Sequence, residues 1–123
     1  MMHTFPPDEA YRRVELDALV LGGDARLLTR LCLTEAVGSL ERALLWHGKE
    51  DTRRRNSALG KAIGSAQALR LGVDRAHPLG EALLTLYGSA AAQLTAAMIR
   101  FDQVVVKQVC ADLRDLAEAF DKA

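Results

Sequence analysis

Proline and aromatic residues are scarce in this 123-residue sequence. Aromatic residues make up 5% of the chain, and proline occurs three times, twice within the first seven residues and once at Pro78. Long stretches therefore carry no proline to break a helix. Leu and Ala dominate instead, and both favour helix. Half of the residues are hydrophobic. The chain can bury one core but is too short for two, so we predict a single all-α domain over residues 1–123.

The sequence also lacks an excess of charge of either sign. Lys+Arg and Asp+Glu number 16 each, so the formal net charge is zero. Because phosphate contacts supply most of the affinity of nucleic-acid-binding proteins, such proteins usually carry a basic excess. We therefore expect no nucleic-acid partner. No uninterrupted apolar run reaches the ~20 residues that span a bilayer. The segment Met1–Pro7 lacks a basic region followed by an apolar one, so we expect neither a secretory signal nor membrane insertion.

Residues able to carry chemistry are few and scattered. Cys32 and Cys110 lie inside helical apolar patterns, which indicates reduced core residues and favours a cytosolic location. Thiols buried in apolar surroundings are inert. His3, His47 and His77 fall in the N-terminal tail and at predicted helix ends. The spacings HExxH, CxxC and GxGxxG do not occur. We therefore expect no metal, no cofactor and no enzymatic activity.

What the sequence does contain is helical periodicity. Apolar residues recur at steps of three and four over four long segments. A short helix is predicted before them over residues 8–20, preceded by a flexible tail of residues 1–7. Because the links are short, we predict an antiparallel up-down four-helix bundle with an extra short N-terminal helix, in which the last two helices pack antiparallel. The four long helices are predicted at about 25–47, 51–72, 79–101 and 102–120.

Two features of the predicted helix 51–72 oppose helix formation. Gly60 and Gly64 each weaken it by roughly 1 kcal/mol relative to alanine, which close packing against a neighbouring helix would justify. The run Arg53-Arg54-Arg55 places positive charge at the helix start, where the dipole disfavours it. This run fits either an anionic partner or nucleic acid, or an ordinary solvated face, and we favour the solvated face.

Apolar residues exceed what one stripe per helix requires. A helix with two apolar faces is either central in its fold or faces a second partner. The short N-terminal helix would cover the surplus, and a removable cover would leave a groove for a partner helix. The surplus residues are Leu27, Leu28, Leu31 and Leu33 on the first long helix, and Leu84, Tyr87, Ala91 and Met98 on the third.

Several short motifs occur in a defined order and spacing along the chain. A Leu-Tyr pair is followed by a Leu seven residues after the Tyr, an Ala three further on, an Asp before the last helix, a Leu-Arg pair and an aromatic residue. In this order and spacing the chain resembles the FliS family of flagellin-specific export chaperones. The matching residues are Ala10-Tyr11, Asn56, Leu59, Lys61, Ala62, Leu86-Tyr87, Leu94, Ala97, Asp102, Leu113-Arg114 and Phe120.

The sequence departs from the family pattern at three places, which indicates a divergent member. Gly22-Gly23-Asp24 stands where the family has Ala-Ser-Pro. The segment 30–35 differs from the family's Met-Leu-Tyr-x-Gly-Ala, and Met98 stands where the family has Asn.

The resemblance implies a cytosolic helical chaperone. Such a protein binds the disordered C-terminal segment of flagellin, prevents its premature polymerisation and keeps it ready for type III export. The alternatives are a helical adaptor without a flagellin client, which would bury its surplus stripe in a homodimer, and a small enzyme or regulator with a pocket between helices.

We expect the partner to contact apolar residues of the short helix and of the first and third long helices. Each candidate residue has ordinary core packing as its alternative, and Tyr87→Ala is expected to weaken client binding more than it lowers thermal stability. The candidate partner-binding residues are Tyr11 and Val14 in the short helix, Leu27 and Leu31 in the first long helix, and Tyr87, Ala91 and Leu94 in the third.

Overall fold

The structure, a computed structural model, describes residues 25–122. Within that range the chain forms four helices and no strand, which confirms the predicted all-α class. The helix boundaries follow the sequence pattern closely. The predicted tail at 1–7 and short helix at 8–20 lie outside the described residues. The helices are α1 (Ala25–Gly48), α2 (Thr52–Leu71), α3 (Gly80–Ile99) and α4 (Gln103–Lys122).

Aspartates in two three-residue links determine where α2 and α4 begin. The Asp51 carboxylate accepts a hydrogen bond from the Arg54 backbone N–H at 2.9 Å, and Asp102 accepts one from the Val104 N–H at 3.0 Å. Each bond satisfies an N–H group that the first turn of a helix leaves unpaired. In the link before α2, Glu50 has φ 58°, in the left-handed region that non-glycine residues seldom adopt. The chain therefore reverses sharply between α1 and α2.

Neighbouring helices run in opposite directions. Arg26 at the start of α1 donates to the Phe120 carbonyl near the end of α4 at 3.1 Å, while Glu41 further along α1 lies 3.7 Å from Arg114. α1 packs along α2 and α4, and α2 packs along α3. α3 and α4 touch least of the contacting pairs, although only three residues join them. The bundle is therefore a ring of helices with one loosely closed side.

All four helices contribute to one core. Leu33, Leu40, Leu59, Leu94 and Val106 are fully buried in it. Buried alanines lie between these larger side chains on three of the helices and let the helix axes approach. Over residues 25–122, no buried side-chain nitrogen or oxygen lacks a hydrogen-bond partner.

α3 is the most apolar helix of the bundle. By length and composition alone it is apolar enough to cross a membrane, because Glu81 is the only charged residue among its twenty. Its apolar residues are interrupted by Thr, Ser and Gln, so it contains no uninterrupted apolar run of about 20 residues. Tyr87, Ala90, Leu94 and Ala97 belong to the core, so one face of α3 packs as part of the core.

The glycines of α2 do not mark a close helix contact, which corrects the expectation from sequence. A Cβ atom added at Gly60 or Gly64 would meet nothing within 4 Å. Both residues are exposed on the outer side of α2. Gly80 at the start of α3 is different, since a Cβ there would lie 2.6 Å from the Asp74 carbonyl oxygen. Of these three glycines, Gly80 is therefore the one that close backbone approach requires.

Alanine substitutions should separate these two kinds of glycine. We expect Gly60→Ala and Gly64→Ala each to raise the free energy of unfolding by up to ~1 kcal/mol, because alanine loses less backbone entropy in a helix. Gly80→Ala should lower it, because the methyl group overlaps a carbonyl. Urea denaturation followed by circular dichroism measures all three. Destabilisation by Gly60→Ala would show that another part of the chain covers this side of α2 in solution.

Candidate functional site

An open apolar pocket lies at the end of the bundle where α1 begins and α4 ends. Its volume is about 570 Å³. All four helices and the link between α2 and α3 contribute to its walls, and Ala25, the first described residue, is one of them. A pocket lined mainly by aliphatic and aromatic side chains suits an apolar side chain of a partner. The larger apolar residues in its wall are Leu69, Val73, Leu79, Leu83, Tyr87, Leu116 and Phe120.

Tyr87 lines this pocket but belongs to the core. Its side chain is 1% exposed, and burial raises the pKa of its phenol to about 12, with the nearby Cys32 thiol adding to the rise. Ala91 and Leu94 follow at steps of four and three, so they lie on the same buried face of α3. Truncation of such a side chain costs about 3–5 kcal/mol. Burial therefore favours the alternative of core packing for Tyr87, and the expectation that Tyr87→Ala affects stability less than binding stays a prediction.

Leu27 and Leu31 lie elsewhere on the bundle. They are 40% and 53% exposed and lie one turn apart on the side of α1 that faces away from the buried Leu33 and Leu40. The backbones of α1 and α3 do not approach each other closely, so these exposed leucines and the residues of α3 occupy different sides. Of the predicted partner-binding residues, the described ones thus fall into two separate groups. Tyr11 and Val14 lie outside the described residues.

The outer side of α3 is a candidate surface that the sequence analysis missed. Thr85, Ser89, Ala92 and Ala96 are all exposed and follow one another at steps of four, three and four. We call these four residues the uncharged face of α3. Small side chains let the backbone of a second helix approach closely, and none of the four carries a charge that would have to be desolvated. The signal was present in the sequence, since only Glu81 of α3 is charged.

Comparison with known families identifies the kind of protein that carries this surface. A family model described as "Flagellar protein FliS" matches residues 8–123. The chain belongs to the FliS family. The match covers nearly the whole chain, including the segment before α1, and it confirms the resemblance found in the sequence motifs. FliS proteins are flagellar export chaperones rather than enzymes. No curated protein was found to match the chain.

Neither cysteine of this FliS protein forms a disulfide bond. Cys110 is buried, and burial raises the pKa of its thiol, an effect that the Arg114 guanidinium 3.5 Å away partly offsets. Cys32 is half-buried on α1. In the described part of the chain, no group of three or more His, Cys, Asp or Glu side chains is arranged to hold a metal ion.

The raised pKa of Tyr87 predicts alkaline sensitivity. The ordinary phenol pKa is 10.0 and that of the folded protein is about 12, so the unfolded chain loses its proton first as pH rises. Unfolding then releases a proton, and stability falls by up to about 1.4 kcal/mol per pH unit between those values.

Tyr87→Phe should remove this contribution to the fall in the free energy of unfolding with rising pH. Urea denaturation at about pH 9 and about pH 11 measures the difference between the two proteins. The contribution of Cys110 is present in both and cancels. If the free energy of unfolding fell equally with pH in wild type and variant, the phenol would have to reach solvent through the pocket.

Proposed function

We propose that this FliS protein is a cytosolic export chaperone that binds the disordered C-terminal segment of flagellin as helices laid along the bundle. By covering that segment it would prevent premature polymerisation and keep the client ready for type III export. Family membership supports the chaperone class. The observation that carries the client-binding surface is the uncharged face of α3, in a chain of which 26% is charged.

The length of the uncharged face sets the length of client helix that it can hold. From Thr85 to Ala96 it extends over twelve residues, and the eleven steps between them cover about 16 Å at 1.5 Å per residue. A disordered client loses conformational entropy when it folds on binding, so short contacts would not offset that cost. A helix of about three turns can lie along this face. The pocket at the end of the bundle would receive one larger apolar side chain of the client.

Leu27 and Leu31 supply a second contact in this proposal. They lie on the side of α1 away from the core, and the backbone of α1 does not approach that of α3 closely. A client that reaches both places must wrap around the bundle instead of lying in one groove. The buried residues of α3 would act indirectly, because they hold the wall of the pocket and the backbone of α3 in place. These residues are Tyr87, Ala91 and Leu94. In this proposal, therefore, only Leu27 and Leu31 of the five described candidates are exposed client contacts.

We expect a charge placed on the uncharged face to weaken client binding. Ala92→Glu should lower the affinity for the flagellin C-terminal segment at least about tenfold, because the carboxylate must be desolvated against apolar client residues. Isothermal titration calorimetry with that segment, at several temperatures, measures the affinity and the negative heat-capacity change expected from apolar burial.

Two matched variants serve as controls for this test. Ala92→Ser keeps the site small and uncharged, and Ser57→Glu places the same charge on the outer side of α2, where Ser57 is exposed. Both should bind within about twofold of wild type. If the wild-type protein binds no flagellin segment but dimerises through this face, it is a homodimeric adaptor, and the client proposal fails.

The segment before α1 would act as a removable cover. α1 starts at Ala25, which lines the pocket, so in this proposal the chain before it would bring the predicted helix at 8–20 to the pocket. Tyr11 and Val14 are the residues of that segment that we propose to occupy the pocket until the client displaces them. A tethered competitor lowers apparent affinity because the client must first remove it.

Deletion of residues 1–20 should therefore tighten client binding, by about threefold or more. Calorimetry against the same flagellin segment measures the change, and far-ultraviolet circular dichroism checks that the bundle remains folded. A weaker affinity after deletion would mean that Tyr11 and Val14 contact the client directly instead of competing with it.

A further inference from the structure

A second distinctive surface lies at the opposite end of the bundle, where the α1–α2 and α3–α4 links meet. The His47 and Phe101 rings stack with centroids 4.2 Å apart. The Arg55 guanidinium lies over the same Phe101 ring at 4.6 Å. These contacts join two links that are far apart in sequence into one continuous surface. We call residues 46–56 and 99–105 the basic end.

Positive charge is concentrated at the basic end, although the chain as a whole is neutral. Two of its three carboxylates, those of Asp51 and Asp102, are engaged as helix caps. Arg53 and Arg100 are exposed and form no salt bridge with any described residue. The cationic residues are Lys49, Arg53, Arg54, Arg55 and Arg100, and the acidic ones are Glu50, Asp51 and Asp102.

Part of this charge is held in place before any partner arrives. The Arg54 guanidinium lies 4.7 Å from the centroid of the Trp46 ring, and Lys49 Nζ lies 5.6 Å from it. Arg55 donates to Asn56 Oδ1 at 3.2 Å. Cation–π contacts and hydrogen bonds of this kind limit the rotamers that these side chains sample. An anionic partner therefore loses less free energy in ordering them.

An apolar groove of about 730 Å³ opens beside these charges. The last turns of α3, the link and the start of α4 line it, with Ala97, Phe101 and Val105 among its apolar residues. Val104, which lines the groove, is 76% exposed, and Ile99, which directly precedes the groove-lining Arg100 in the chain, is 89% exposed. Exposed aliphatic side chains of this size mark interaction sites when they adjoin one another.

The combination of charge and aliphatic surface favours a polypeptide over a nucleic acid. A phosphate backbone gains nothing from Ile99 and Val104, and the three interspersed carboxylates repel it. An acidic segment with apolar side chains fits both parts, since its carboxylates pair with arginine and its apolar residues enter the groove.

We propose that the basic end binds a short acidic segment of a second protein, distinct from the flagellin client. The partner places an apolar side chain in the groove beside Val104 and its carboxylates against Arg53 and Arg100. The groove shares Ala96 with the uncharged face of α3, so the test uses substitutions at the basic end alone.

The probe is a fluorescein-labelled synthetic peptide of about 16 residues with Glu and Leu at helical spacing. Fluorescence anisotropy with the full-length chain should show saturable binding that weakens as salt rises from about 0.05 M to about 0.5 M. A peptide with Ser in place of Leu, and one with Lys in place of Glu, should bind at least about tenfold more weakly.

The double variant Arg53→Glu/Arg100→Glu should weaken binding of the Glu–Leu peptide at least about tenfold. The matched control, Lys61→Glu/Arg75→Glu, carries the same charge change at exposed positions elsewhere and should stay within about twofold. Both variants should bind the flagellin segment like wild type, which separates this proposal from the client proposal.

Three results would overturn the proposal. The first is that the wild-type protein does not bind the Glu–Leu peptide. The second is that both double variants lose affinity for this peptide equally. The third is tighter binding of a single-stranded oligonucleotide of similar length that depends on Arg53 and Arg100, which would assign the basic end to nucleic acid.

Discussion

The near absence of charge on α3 is the constraint on which the rest of the structure depends. A helix of twenty residues with Glu81 as its only charge cannot stay soluble alone, so it must pack on one side. The bundle satisfies this requirement by burying Tyr87, Ala91 and Leu94 against its neighbours. The opposite side of the same helix remains exposed and equally free of charge. Because it carries small rather than large residues, solvent exposure of this side costs little.

The packing of α2 and α4 relative to α3 leaves one side of the bundle loosely closed. α2 packs along one flank of α3, whereas α4 barely approaches the other. α4 instead packs along α1, where Arg26, Arg30 and Arg114 form polar contacts across the interface. These exposed pairs contribute little stability each but set the orientation of α4. A ring with one loosely closed side leaves more of α3 exposed than a closed bundle would.

The helices and their starts were predictable from the sequence because they depend on local interactions. Period-three-and-four apolar residues mark the helices, and Asp51 and Asp102 act within three residues of themselves. The distribution of surplus apolar residues was not predictable. Whether Tyr87 or Leu31 ends in the core depends on where neighbouring helices lie, which spacing along one helix cannot reveal. The glycines of α2 show the same limit, since sequence records the missing side chain but not the empty space around it.

The two ends of the bundle differ in chemistry, and this separates the two proposed partners. Each helix of twenty residues is about 30 Å long, so the apolar pocket and the basic end lie about that far apart. At such a distance, charges at one end are screened from the other by physiological salt. A client held in the pocket would therefore leave Arg53 and Arg100 open to a second protein. The basic end becomes coupled to the client only through Ala96, where its groove meets the uncharged face of α3. A chaperone arranged in this way can hold its client and present a separate surface to the next component it meets.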